Sequence, residues 1–208
     1  MVLKKEFAFF AVIIAFALVI SIFAFSLSLI NPLTFFIRLL ALNGFIALSI
    51  AAIMTPFLKE VSLLFKKTFT KVHHYFAAAG LVLITLHPLA VAIQTLNLRI
   101  LLPNVASTYL FFLYGGSIAL IAIYVALGAV LLRRKIVAYW RPFHMLMYLA
   151  LFFGVVHANL LGFDLQNIYF KIIYDTLFAT AVGVFALKRW QFYQIKARMK
   201  NAHQPRLP

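Results

Sequence analysis

The chain has 208 residues, of which 65% are apolar and 11% charged, and its mean hydropathy is +1.03. Soluble domains are about 45–50% apolar and about 25% charged, so this composition excludes an ordinary water-soluble enzyme and a disordered chain. The net charge of +15 would suit a nucleic-acid-binding domain, but the hydropathy excludes one. Because the sequence has no cysteine, it also excludes disulfides, cysteine-ligated clusters, thiolate-bound haem and c-type haem attachment.

Six apolar stretches follow one another, each long enough to cross a hydrocarbon core of about 30 Å as a helix. The first follows two lysines like a signal peptide, but its uncharged run exceeds the roughly 7–15 residues of a signal sequence. We interpret it as a retained helix, with cleavage as the alternative. The alternating pattern of a β-barrel is missing, so the stretches predict an all-α polytopic membrane bundle. The predicted spans are 7–30, about 34–58, 73–97, 108–132, 142–163 and 169–187.

Basic residues set the expected orientation. Sixteen of the 19 Lys and Arg residues lie before the first span, between spans two and three, between spans four and five, or after span six. Only Arg38, Arg99 and Lys171 fall on the other side. Because cytoplasmic segments carry the excess of Lys and Arg, we expect a cell-membrane protein with both termini in the cytoplasm and anionic lipid as the counter-charge. Residues 1–190 are expected to form the six-helix domain, and 191–208 a basic cytoplasmic tail.

Five of the six histidines belong to the third and fifth spans, where an ionisable side chain favours a functional interpretation. His73 and His87 are 14 residues apart, about four helical turns and 21 Å, so both rings can face one neighbour. His144 and His157 are 13 residues apart, about 20 Å. Since both spans run outward, each pair offers one imidazole at a cytoplasmic level and one at an outer level. This pattern suits two b-type haems, each with two axial histidines.

Three points stay open at the sequence level. His74 can replace His73 as the inner ligand, although the helical phase favours His73. Thirteen residues leave His144 and His157 about 140° out of phase, so a π-bulge, a tilt or local rewinding has to lie between them, with Gly154 as a candidate. The structural alternative is that each histidine only hydrogen-bonds to a neighbouring helix. Zinc is disfavoured, because two histidines at each level are too few ligands.

Further residues are candidates for the haem environment. Arg141 can pair with a propionate and Trp140 can stack there, or they are a topology charge and an interfacial aromatic. Arg38, a basic residue inside an outward half-span, can hold an outer propionate or extend toward the headgroups. Gly80 leaves room for a porphyrin or for close helix packing. For Asp175 we expect a local ion pair with the lysine four residues earlier.

The segment KVHHYFAAAGLVLITLHPLA, followed by RRKIVAYWRPFHMLMYLALFFGVVHANLLG, resembles the ferric reductase-like transmembrane domain. That family carries a histidine pair 14 apart on its third helix and another 13 apart on its fifth, and this chain matches both spacings. The run Trp140, His144 and Tyr148 also fits. The resemblance covers the six-helix domain. It implies that electrons cross from a cytoplasmic donor, through an inner and an outer haem, to an acceptor outside.

Ferric-chelate reductases and NADPH oxidases of that superfamily often continue into a cytoplasmic flavin domain, whereas this chain continues into a basic tail. The resemblance therefore implies an oxidoreductase component with a separate donor: a flavoprotein carrying FAD or FMN, or a quinol at the membrane interface. A rival is a quinol-linked subunit such as that of the periplasmic methionine sulfoxide reductase system. That subunit tends to have Arg where this chain has His73 and His74. A non-redox alternative is a small transporter whose histidines relay protons.

Overall fold

The fold is helical throughout the part of the chain that the computed structural model describes, and no strand occurs there. This confirms the all-α prediction. Residues 31–202 are described, with side chains up to residue 199. Most of the first predicted span, the two N-terminal lysines and His203 lie outside the described residues. Five positions of that span are described and are helical: Ile13, Phe16, Val19, Ile20 and Ile22.

Eight α-helices and two short 3-10 turns follow one another between residues 32 and 202. The turns are Leu98–Leu101 and Asp164–Gln166. The helices are α1 (Pro32–Met54), α2 (Leu58–Phe65), α3 (Phe69–Thr95), α4 (Thr108–Leu113), α5 (Gly115–Leu131), α6 (Trp140–His144), α7 (Leu146–Leu161) and α8 (Ile168–Ala202).

Four helical segments among the described residues are long and apolar enough to cross a membrane. They are α1, α3, the joined α6 and α7, and α8. The predicted fourth span is present as α4 and α5, which Tyr114 separates, and α5 alone is apolar but has 17 residues. These helices are compatible with a membrane protein. The six-span count and the orientation of the termini stay predictions.

Helices α1 and α3 share the most extensive contact in the described bundle, and glycines bring their backbones together. A Cβ atom at Gly80 would lie 2.7 Å from Cγ of Leu48, and one at Gly44 would lie 2.8 Å from Cγ1 of Ile84. Both distances are shorter than any ordinary carbon contact, so only glycine fits. Of the two roles that the sequence left open for Gly80, the structure therefore shows helix packing.

A second close pair is formed by α5 and α7, and α1 links the two pairs because it also packs against α7 and α8. In the most apolar part of α1, 61% of the residues are buried, against 17% in α3 and 22% in α6 and α7. Helices α3 and α7 make little direct contact with each other. The bundle therefore holds the two histidine-bearing helices close together mainly through their neighbours.

Two helical regions differ from the sequence interpretation. Helix α2 occupies the segment between spans two and three; it buries Val61 and Phe65, and its Ser62 Oγ accepts a hydrogen bond of 3.0 Å from the N–H of Phe69. Helix α8 continues through Ala202, although its apolar run ends at about Leu187. The extension is rich in Gln, Lys, Arg and Ala, which favour helix even where no core requires it.

Candidate functional site

The inner histidine pair is formed by His73 on α3 and His144 at the end of α6. Their ring centres are 6.4 Å apart, and the ring planes are inclined by 77°. His74 is exposed, whereas His73 and His144 are both half-buried. The structure therefore places His73, and not His74, opposite His144.

The spacing of the inner pair suits a metal ion between two imidazoles. An imidazole nitrogen binds a transition metal at about 2.0 Å and lies about 1 Å from the centre of its ring, so two rings on opposite sides of one ion have centres about 6 Å apart. The observed 6.4 Å agrees with that separation. The donor set, two imidazoles without a thiolate or carboxylate, is that of a b-type haem.

The outer pair consists of His87 on α3 and His157 on α7. Nδ1 of His87 lies 3.1 Å from the carbonyl oxygen of Ile37, and Nδ1 of His157 lies 2.6 Å from that of Leu113. The two rings are within electrostatic range of each other. The helices thus bring the rings of His73 and His144 into contact and place His157 near His87, in the combination that their predicted depths required.

Backbone carbonyls fix the orientation of three of the four rings. In His73 the partner is the carbonyl oxygen of Ala51, 3.2 Å from Nδ1. A carbonyl oxygen can only accept, so Nδ1 is the donor in these rings, and Nε2 keeps its lone pair in the neutral imidazole. Histidines that bind metal ions almost always donate their other N–H in this way. All three rings therefore carry the tautomer that a metal ligand needs.

Two of those carbonyls, of Ala51 and Leu113, lie in the last turn of a helix, where carbonyl groups have no backbone donor within the helix. The N–H of Thr55 bonds to Ala52 and not to Ala51, so the Ala51 carbonyl accepts from His73 and from the Thr55 hydroxyl. Likewise, the N–H of Ser117 bonds to Tyr114. The carbonyl of Leu113 therefore accepts the hydrogen bond from Nδ1 of His157. The C-terminal end of α1 and the α4–α5 junction thus supply the acceptors.

The register of α1 against α3 sets both ring positions on α3. Ala51 and Ile37 are 14 residues apart, and so are His73 and His87. Because the helices are antiparallel, the pairs 51 with 73 and 37 with 87 belong to one continuous alignment. In both rings, Nδ1 is therefore turned toward the same neighbour, α1.

Gly116 on α5 lies beneath the ring of His157. A Cβ atom at residue 116 would be 3.1 Å from Cδ2 and Nε2 of that ring and 3.4 Å from Cε1. Three ring atoms at similar distances mean that the face of the imidazole lies over the glycine. The sequence analysis missed this residue, although the Gly-Gly pair at the head of the fourth span was a signal for it.

The phase difference between His144 and His157 is met by a break at Met145. The N–H of Met145 bonds to the carbonyls of both Arg141 and Pro142, and the N–H of Tyr148 bonds to that of Met145, three residues back. Helix α7 is regular from residue 146 to 161. The expectation that Gly154 absorbs the difference is therefore wrong, because the interruption lies directly after His144.

Trp140 and Arg141 lie on the helix that carries His144. The Trp140 ring is 6.5 Å from the His144 ring, and the Arg141 guanidinium lies 5.3 Å from the centre of the indole. The Nδ1 atom of His144 is buried and, although the carbonyl of Ala126 is nearby, lacks a partner in hydrogen-bond geometry. Trp140 and Arg141 thus border the inner pair, and neither touches the outer one.

Arg38 is held by Asp164, a residue that the sequence analysis did not single out. The guanidinium Nε donates to Oδ2 of Asp164 at 2.9 Å, and an Nη atom bonds to Oδ1, so the pair is bidentate. Both side chains are largely buried, and the Phe163 ring lies 5.2 Å from the guanidinium. The signal was available: Asp164 is one of only four acidic residues in the chain.

A second polar cluster lies near the outer pair, between α7 and α8. Asn159 donates to Oδ1 of Asp175 at 2.8 Å and accepts from Lys171, whose Nζ lies 4.0 Å from Oδ2 of Asp175. The predicted ion pair between Lys171 and Asp175 is confirmed. Asn159 is an addition that periodicity could not indicate, because the contact depends on how α7 packs against α8.

Among the described residues, no group of three or more His, Cys, Asp and Glu side chains could hold a metal ion. Pairs of two histidines are what the structure offers, and these suit a porphyrin that supplies the other four ligands of its iron. No family model, curated protein or solved structure matches this chain.

Proposed function

We propose that this chain is a b-type membrane electron-transfer protein that binds two haems, one between α3 and α6 and one between α3 and α7. The observation that carries the proposal is the inner pair, with the rings of His73 and His144 6.4 Å apart. The carbonyl-bonded tautomers of His73, His87 and His157 support it. A bound haem supplies one-electron redox chemistry at its iron.

The protein's own part is to hold and orient the ligands. The carbonyls of Ala51 and Ile37 hold Nδ1 of the two rings of α3 and leave Nε2 for a metal ion, and Leu113 orients the ring of α7 in the same way. The Nδ1–H bond to a carbonyl makes Nε2 a stronger donor to a metal. Arg141 and Trp140, which border the inner pair, are the residues we propose for an inner propionate.

The proposed topology has six spans with both termini in the cytoplasm. Sixteen of the 19 basic residues then lie on the cytoplasmic side. Contacts support this arrangement for the basic residues that follow spans two, four and six. Lys188, after span six, lies 5.0 Å from the centre of the Phe57 ring, which directly precedes α2. His73 and His144, which directly follow the other two basic groups, have ring centres 6.4 Å apart. Electrons would enter there from a flavoprotein or a quinol and leave beyond the outer histidine pair.

The reaction class that we propose is ferric reductase-like, with the chain as the membrane component of an oxidoreductase in the cell membrane. The second candidate is a quinol-linked subunit of a periplasmic reductase, which differs in its electron donor. Reduction of the haems by a quinol in the absence of any flavoprotein would favour the quinol-linked function.

The test is a haem count on the detergent-purified protein, expressed with ample haem, by pyridine hemochrome and reduced-minus-oxidised spectra. We expect about two b-type haems per chain, and about one after His73→Ala or His87→Ala. His74→Ala is the matched control, because it removes the adjacent, exposed imidazole, and it should keep both haems. A wild type without haem in a folded preparation would refute the proposal and favour proton relay or packing.

A further inference from the structure

The end of α8 carries apolar and basic side chains without a core to pack on. We name residues 188–202 the α8 extension. Trp190 is 61% exposed, Phe192 59% and Ile195 57%. Exposed apolar side chains in such number mark an interaction surface. One exposed face of the extension carries Trp190, Gln191, Gln194, Ile195 and Arg198.

The length of α8 places most of this surface beyond the bilayer. The helix has 35 residues, which is about 52 Å at 1.5 Å per residue, whereas a bilayer with its headgroups is about 40–45 Å thick. Its apolar run ends near Leu187. Lys188, Arg189 and Trp190 then lie at headgroup level, where such residues are common. Along the helix, Phe192 lies about 7.5 Å and Ile195 about 12 Å beyond Leu187, whereas the headgroup layer on each side is about 5–7.5 Å thick. Phe192 therefore lies at the outer edge of the headgroups and Ile195 beyond them.

The charge of the extension indicates the chemistry of its partner. No acidic residue follows Asp175 in the sequence, whereas six Lys and Arg residues do. Arg189 is bonded to the hydroxyl of Tyr193 at 3.2 Å. No described carboxylate forms an ion pair with Lys196 or Arg198. A surface that alternates apolar and cationic groups is complementary to an acidic protein surface with apolar residues at its centre.

We infer that the α8 extension is the docking surface for a soluble protein that presents an acidic patch around an apolar centre. This part of the inference rests on the proposed function: the protein that docks there is the electron donor. Lys196 and Arg198 would steer the acidic patch toward the helix, and Phe192 and Ile195 would be buried by it. The extension begins directly beyond the membrane end where the inner histidine pair lies.

The test measures binding of flavodoxin, a soluble acidic flavoprotein, to the full chain in phosphatidylcholine nanodiscs. Because the chain has no cysteine, a Gln194→Cys variant carries a single environment-sensitive fluorophore on this face of the helix. Lys196→Glu with Arg198→Glu should weaken binding about tenfold, and added salt should weaken wild-type binding. Arg133→Glu with Arg134→Glu, an equal change of charge in the exposed loop before α6, is the matched control and should change binding less than threefold, roughly.

Three results would overturn the inference. The first is that flavodoxin does not bind the wild type, and the second is that it binds both double variants equally. The third is that the fluorophore moves into lipid when phosphatidylglycerol is added to the nanodiscs, which would make the extension a membrane-binding helix. The binding measurement does not require bound haem, and the haem spectrum after reduction with dithionite does not require flavodoxin. Failure of the docking inference can therefore be told apart from failure of the proposed function.

Discussion

Replacing Gly116 by alanine tests the arrangement of the outer pair directly. The new methyl group would lie 3.1 Å from two atoms of the His157 ring, where ordinary contacts begin at 3.4 Å, so the ring has to move by a few tenths of an ångström. Overpacking of this kind costs about 1–3 kcal/mol. Gly128 on the same helix has nothing within 4 Å of its added methyl group. There, alanine should gain about 1 kcal/mol from helix propensity alone.

Both alanines share the propensity gain, so Gly116→Ala should be about 1–3 kcal/mol less stable than Gly128→Ala. In a chain of this size, 1 kcal/mol moves the unfolding midpoint by about 2–4 °C, so the midpoints should differ by roughly 2–12 °C. Thermal unfolding in detergent, followed by circular dichroism, measures this difference. The haem count should fall only in Gly116→Ala. Equal midpoints and equal haem content in the two variants would show that the ring does not lie over Gly116.

Three further substitutions should separate buried from exposed interactions in the same unfolding assay. Asp164→Asn leaves the buried Arg38 without its counter-charge and should cost about 3–5 kcal/mol; a loss below 1 kcal/mol, roughly, would contradict the buried bidentate pair. Gly80→Ala puts a methyl group 2.7 Å from Leu48 and should cost about 1–3 kcal/mol, and a stabilised variant would mean that α1 and α3 are further apart. Asp175→Asn should change stability by less than about 1 kcal/mol, because its ion pair is partly exposed; a larger loss would place that pair in the core.

The positions of the spans were predictable because apolar runs alone determine where a helix can cross a bilayer. Helices α1, α3 and α7 begin and end within a few residues of the predicted limits. The pairing of His73 with His144 was also within reach of the sequence, since two parallel-running helices with matched spacings place their side chains at matched depths. The choice between His73 and His74 followed from helical phase, and the structure has His73 facing His144.

The remaining features depend on contacts that no local pattern contains. Arg38 and Asp164 are 126 residues apart, so their pairing follows from tertiary packing. No glycine or other local signal marks the break at Met145 in the sequence. Gly154, which does lie between His144 and His157, belongs to a regular helix. The helical extension of α8 was missed because hydropathy reports membrane insertion, whereas its polar residues favour helix through propensity.

Because α1 and α3 are aligned over the whole interval between the two histidines of α3, a deletion in α3 should affect this site differently from a side-chain substitution. Deleting one residue between His73 and His87 would turn the second ring by about 100° and shift it by about 1.5 Å, away from the carbonyl of Ile37. No side-chain substitution elsewhere restores that position. Insertions and deletions should therefore be tolerated in the segment 96–107 and lost from α3 under selection, even where point substitutions on α3 are accepted. In a library of single-residue deletions, the positions between His73 and His87 should form one continuous stretch in which no deletion is tolerated.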